Sequence, residues 1–443
     1  MIWKITFLLS LACLAGQGAL KVMTIGDSLT EEYHFETPFS APDSDPANAN
    51  TMNWVEILAE RRGADISFGD YEGVQLAYPD YRRSGHEYNW GIPGHDTEKW
   101  KDIIEAPTGL FDISLESLSR KKMHEQYDEV DVVVVMVGGN DVRSGYGDLY
   151  DALPGDATAT SIINSVVSNL EDIINEIRSI ESNLPIVLAD VPDLGAVPDK
   201  IADYPDPLKR ANATAIINDL NVAVASMALS NSVTLAKVSQ LTTDILKPEP
   251  FYVGALQMLK GTHPENPANY LFCKAGLHPS TNGQAIIANI LLAAINSATS
   301  SNIDLLPDRE IITHLLELNP DQPFIDWATG KGITNFSITL DSDGDGIPNL
   351  GEYLLGLDPF AIDHVHHTET QEIDGVPMLT MDYMPDENAA RLADIEVKQS
   401  TNLDDWSLVS PANIHPQADG SMQVRLPFGL DGLFVKLEFN LRP

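Results

Sequence analysis

Two groups of residues in this 443-residue chain have the types and spacing to do chemistry. The first pairs Ser28, at the end of the apolar run KVMTIGDS, with His278, in CKAGLHPSTNGQ just ahead of the apolar run QAIIANILLAAINSA. A serine placed just past the carboxyl end of a buried strand presents its hydroxyl in the crevice where parallel sheets hold ligands. Gly26 relieves crowding at that turn. Ester cleavage needs such a nucleophile, a base for its proton, and donors aimed at the oxygen that becomes negative. Ser28 would attack the carbonyl, and His278 would accept its proton and later return it to the leaving alcohol. Taken alone, the tetrapeptide GDSL fits an ordinary strand-to-loop turn equally well.

The second group is DSDGDGIPNLGE, residues 341–352. It fits the twelve-residue calcium loop, with Asp341, Asp343 and Asp345 at positions 1, 3 and 5, and Gly346 at the sharp turn. Ile347 falls at the backbone-carbonyl position, Asn349 at 9 and Glu352 at 12. Hard oxygen ligands at this spacing suit Ca²⁺ as a structural ion. A merely acidic turn would not need the glycine and the final glutamate in register. HVHH at 364–367 has transition-metal ligands but reads better as a solvated linker.

The elements that must position these residues alternate in type. KVMTIGDS, DVVVVMVGGND, PIVLADVPD and VTLAKV read as strands buried on both faces, and periodic runs such as SIINSVVSNLEDIINEIRSI (161–180) as covering helices. The expected fold is α/β, a doubly wound parallel sheet in a domain at 20–298 that closes with the helix after His278. A linker follows at 299–322 and the calcium segment at 323–360. Short alternating runs such as LTMDYM, ADIEVKQS and LFVKLEF predict a small β-rich domain over 361–443.

Residues 1–19 carry one Lys, a short apolar run and a small-residue exit, the pattern of a secretory signal, and predict a secreted or surface protein without a membrane span after cleavage. Cleavage leaves Cys273 as the one cysteine, so stability in an oxidising compartment must come from packing or bound metal. The 27 Lys+Arg against 65 Asp+Glu give a formal net charge of -38, which argues against nucleic acid and anionic membranes as partners.

GDSL is followed by NWGIPGHDT at 89–97, GGND at 138–141 and GLHPSTNGQ at 276–284. Four short blocks in this order resemble those of the GDSL or SGNH hydrolase family. The resemblance implies a three-layer α/β/α domain and a serine esterase working through an acyl-enzyme without a catalytic cofactor. It assigns the oxyanion donors to the N–H groups of Ser28 and Gly91 and the side-chain amide of Asn140. The family's histidine block commonly reads Asp-x-x-His, whereas here Ala275 stands at the acid position. A backbone carbonyl near residue 275 could take the place of that acid, or a carboxylate such as Glu265 or Asp193, or the site is weak. His263-Pro264 lacks an apolar helix behind it and reads as a loop near the cleft. His95, in the Gly91 block, could approach the substrate.

Aromatic residues crowd the stretch from Tyr33 to Trp100, which suits either a sugar platform or the core of a long insertion. With the export signal, the favoured substrate is an ester on a carbohydrate, small or polymeric, with an acetyl or other acyl group. A lipid or aryl esterase is the enzymatic rival, and a glycan-binding surface protein on a retired scaffold the non-enzymatic one. The stretch 341–359 is similar to thrombospondin type 3 and dockerin-like calcium motifs, and the closing β-domain could contact a glycan or cell surface.

Overall fold

The computed structural model describes residues 18–33, 51–72, 80–82, 85–265, 267–363, 368–427 and 432–443. The expected export signal, apart from its last two residues, and the HVHH stretch lie outside the described residues. The chain forms two compact units, Met1–Glu249 with Leu259–Leu306, and Pro250–Met258 with Pro307–Pro443.

The first unit is built on a six-stranded sheet, parallel at every pairing. Strand Leu20–Gly26 pairs with Val132–Met136 on one side. Its other side is shared by Ile66–Ser67 at its start and Asn89–Gly91 at its end. Ile186–Ala189 and Thr234–Ala236 extend the sheet past Val132–Met136, whose residues are all buried. Such β-branched runs need cover on both faces. Helices Trp54–Arg61 and Thr281–Thr299 pack together as one group, and Thr97–Glu105, Ala157–Ile180 and Pro207–Ser230 as another. This is the three-layer α/β/α architecture that the family resemblance implies.

Local capping ties these helices to the sheet's carboxyl edge. Helix Trp54–Arg61 starts in a capping box, Asn53 accepting from Glu56 N–H at 3.0 Å while Glu56 Oε2 accepts Asn53 N–H at 2.7 Å. The same Glu56 oxygen accepts Tyr33 N–H at 3.1 Å, and Asn53 Nδ2 donates to Glu31 O at 2.6 Å. One helix start therefore holds the loop that leaves Ser28.

The second unit is a separate β-rich region. Thr368–Ile373, Val376–Tyr383, Met422–Pro427 and Ile414–Pro416 form one antiparallel sheet, and Ser407–Leu408, Ala393–Ser400 and Phe434–Leu441 another. Met381, Val424 and Leu426 from the first sheet pack with Val397 and Leu437 from the second into a common core. Helix Asn349–Leu355 joins it through Leu355, while its Leu350 and Leu354 pack with Phe324, Leu392 and Ala393 in a second cluster. A Cβ on Gly351 would stand 2.5 Å from the Phe439 ring, so a glycine there lets the helix lie close.

Candidate active site and acidic loop

Strand Leu20–Gly26 delivers Ser28 to the carboxyl edge of the sheet. Gly26 is required by packing, because a Cβ there would lie 2.3 Å from Thr30 Oγ1. The Gly26 carbonyl accepts from Ile92 N–H at 3.1 Å and Trp100 Nε1 at 3.2 Å, which pins the strand end to the second motif block. His278, preceding helix Thr281–Thr299, is buried, and its Nε2 lies 2.7 Å from Ser28 Oγ. Residues 250 positions apart thus meet at hydrogen-bond distance.

The histidine is held from its backbone and from one ring edge. Cys273 N–H donates to His278 O at 2.9 Å across a tight turn in which Gly276, at φ +78°, donates to Cys273 O. Ala275 sits on the exposed corner of that turn. The Tyr33 ring meets the imidazole edge-on, with centroids 6.1 Å apart, and its hydroxyl accepts from Gln284 Nε2 at 2.6 Å. Of the carboxylates suggested for the missing acid, Glu265 is exposed and Asp193 caps the turn Leu194–Ala196 by accepting Gly195 N–H at 2.7 Å. A buried acid whose charge interacts with His278 is Asp27, next to Ser28. Burial pushes its carboxyl up to about 6, against opposing help from Leu29 N–H and His278.

Asn140 lies in the first turn of helix Gly139–Asp151, entered through Gly138 at φ +123°. Its Nδ2 donates to His95 O at 3.0 Å and faces Asp27 Oδ2 at 3.4 Å. Asp141 clasps the next block, accepting Thr97 N–H at 3.0 Å and Thr97 Oγ1–H at 2.6 Å.

Gly91, expected as an oxyanion donor, is closely packed. Its N–H donates to Asn89 Oδ1 at 3.2 Å, and a Cβ on it would lie 2.3 Å from Glu31 N, so it serves close backbone packing. Gly94 has the opposite character. It stands at φ +72° in the turn closed by His95 N–H to Ile92 O, with open space where a Cβ would point, and Asn140 holds that turn through His95 O. Two glycines in one short block carry no sequence signal for which is packed and which is open. His95 packs its ring between Tyr81 and Trp100, with burial lowering its basicity.

Most of the described aromatics in the stretch belong to the core, although Tyr71 is exposed and Tyr81 part-buried. Tyr33, Trp54, Phe68, Tyr88, Trp90 and Trp100 are all buried, while Phe35, Phe39 and Tyr78 lie outside the described residues. An apolar cavity of about 40 Å³ is lined by Leu29, Leu194, Leu241, Phe272, Leu277 and Pro279, the neighbours in sequence of Ser28 and His278.

In the second unit, the carboxylates of Asp341, Asp343 and Asp345 converge within 4.8 Å. The loop is folded by its own side chains, Asp341 accepting from Gly344 and Gly346 and Asp345 from Ile347, with Gly344 and Gly346 at φ +84° and +96°. Glu352 is fully buried, and neither of its oxygens has a hydrogen-bond partner among the described residues. Burial, then the charges of Asp343, Asp345, Asp341 and Asp363, push its carboxyl up to about 7. An orphaned buried carboxylate facing acidic neighbours fits a bound cation. Asn349 is engaged elsewhere, its Oδ1 accepting from Ser342 Oγ at 2.8 Å.

The sequence matches the GDSL-like Lipase/Acylhydrolase family over residues 22–291, more than half of the chain. With nucleophile, histidine and motif blocks gathered at one sheet edge, the chain belongs to that family and is a carboxylic ester hydrolase. Solved structures similar to it include an acetylxylan esterase from Geobacillus stearothermophilus (18% identity, TM-score 0.34, covering 63% of this chain and 95% of that one). A carbohydrate esterase family 3 protein from Talaromyces cellulolyticus (16%, 0.34, 64% and 99%) and an extracellular lipase from Streptomyces rimosus (16%, 0.34, 63% and 100%) are similar at the same level. Likeness of this degree bears on neither activity nor substrate. No curated protein matches the chain significantly.

Proposed function

We propose that the chain is an exported esterase that removes a short acyl group, acetyl above all, from a carbohydrate through a Ser28 acyl-enzyme. The observation that carries the mechanism is the 2.7 Å approach of Ser28 Oγ to His278 Nε2. Nε2 takes the hydroxyl proton as Oγ adds to the carbonyl carbon, and the C=O electron pair moves to oxygen. The oxyanion is held by Ser28 N–H and Asn140 Nδ2, whose 3.4 Å contact with Asp27 is weak enough to be exchanged. Gly94 N–H, in its open turn, takes the place first given to Gly91 as third donor. Collapse expels the alcohol, protonated by Nε2–H, and water attacks the acyl-enzyme with His278 again as base. Asp27, buried beside the pair, offsets the imidazolium charge through space in place of the acid missing at Ala275.

The short-acyl reading is supported by the cavity beside Leu29 and Pro279, whose volume of about 40 Å³ suits a few atoms. The carbohydrate reading rests on the export signal, since most of the described aromatic rings of the stretch are buried in the core. Initial rates on p-nitrophenyl acetate, p-nitrophenyl octanoate and acetylated xylo-oligosaccharides test both. Preference for the acetylated sugar supports the proposal, and a preference for octanoate replaces it with the lipid-esterase reading. In the second unit, we read the loop at 341–352 as a structural Ca²⁺ site. Asp341, Asp343, Asp345, the Ile347 carbonyl and Glu352 supply oxygen ligands, and the ion there neutralises buried charge.

A further inference from the structure

We infer that the calcium site is closed by Asp363, from beyond the loop and its following helix, and that Asn349 is not a ligand. The inference rests on the calcium reading of the same loop. Glu352 points the way, a fully buried carboxylate with both oxygens unpartnered among the described residues, on the helix that follows the converging carboxylates of Asp341, Asp343 and Asp345. Asp363 reaches the same cluster from the far end of the segment. Its N–H donates to Asp345 Oδ2 at 2.8 Å, which seats it against the position-5 carboxylate. Its own Oδ2 is buried with no partner among the described residues, and its charge acts on Glu352. Asn349, at the start of helix Asn349–Leu355, has its amide oxygen occupied by the Ser342 hydroxyl at 2.8 Å.

Calcium accepts about six to eight oxygens in a flexible shell, and ligand charge sets affinity. A carboxylate at 363 supplies both the oxygen that the loop lacks at position 9 and one more negative charge. It also closes a covalent circuit: loop, helix, the left-handed turn at Gly356 and the segment to Asp363 are all tied to one ion. Phe360 and Ile362, exposed by 57% and 66%, lie on the tied segment, so Phe360 is a reporter of closure.

The test uses the full chain, stripped with chelator and titrated with Ca²⁺ by calorimetry. Wild type is expected to bind with one strong site and Glu352→Gln to lose it. Asp363→Asn is expected to weaken binding about tenfold or more, and Asn349→Ala to stay within a few-fold. In parallel, Ca²⁺ slows chymotryptic cleavage after Phe360 in wild type and in Asn349→Ala but not in Asp363→Asn. Asp363→Ser repeats the measurement should Asp363→Asn misfold. Wild-type affinity in both Asp363 variants, or an equal loss in Asn349→Ala, overturns the assignment of Asp363 while leaving the calcium reading standing. A wild type that binds no Ca²⁺ overturns both.

Discussion

The ester-cleaving site and the acidic loop are assembled in opposite ways. The residues proposed for the former, Ser28, Gly94, Asn140 and His278, come from four separated segments, and Ser28 and His278 meet because a parallel sheet brings its carboxyl ends to one edge. The acidic site is written almost entirely in residues 341–352 and folds through hydrogen bonds among near neighbours. The distributed site depends on the whole core for its geometry. The local one depends on what neutralises its charge.

The sharpest break between the two sites is Ser28→Ala. It is expected to lower kcat on p-nitrophenyl acetate by about 10⁴-fold or more without changing Ca²⁺ binding by calorimetry; equal background rates in both proteins would end the enzyme reading. Asn140→Ala should cost about 2.7 to 4 kcal/mol of transition-state stabilisation, seen in kcat more than in KM. A change confined to KM would make Asn140 a loop anchor through His95 O.

Asp27→Asn probes the energetic cost of the distributed site. The folded carboxyl titrates near 6 against 3.8 in the free group, so the folded state binds more protons between those values. Stability from this residue is full below about pH 4 and is lost as pH rises through 6, by about 3 kcal/mol. Urea denaturation from pH 4 to 7 should show the variant gaining on wild type by that amount as kcat falls. A flat difference would refute the burial argument. The smallest effect expected is chelation. Ca²⁺ at about 100 times its Kd stabilises by about 2.7 kcal/mol, so EDTA should lower the melting transition of the second unit and leave the ester rate at 25 °C unchanged.

Sequence pattern carried the parallel sheet because its long strands are continuous β-branched runs, VVVVM being the plainest. Ile66–Ser67 and Asn89–Gly91 escaped because two or three residues carry no period. The Ser28 and His278 pairing was legible through motif order. The choice of Gly94 over Gly91 in the proposed oxyanion hole was not, since the donation of Gly91 N–H to Asn89 Oδ1 exists only in the fold. Composition left the aromatics open: Trp54, Trp90 and Trp100 suit a sugar or a core equally by type, and only burial separates the two. Asp363 lies past any twelve-residue pattern, and its place beside Asp345 exists only once the helix between them has formed.

The clasp of Asp141 on Thr97 bears on how this scaffold can be re-engineered. One carboxylate accepts both the backbone and the hydroxyl of the residue that opens helix Thr97–Glu105, so two stretches of catalytic loop share a single fastener. A graft that replaces residues 89–97 with a loop from another esterase will seat only if position 141 travels with it. The practical unit of exchange in this enzyme is a matched pair of loops.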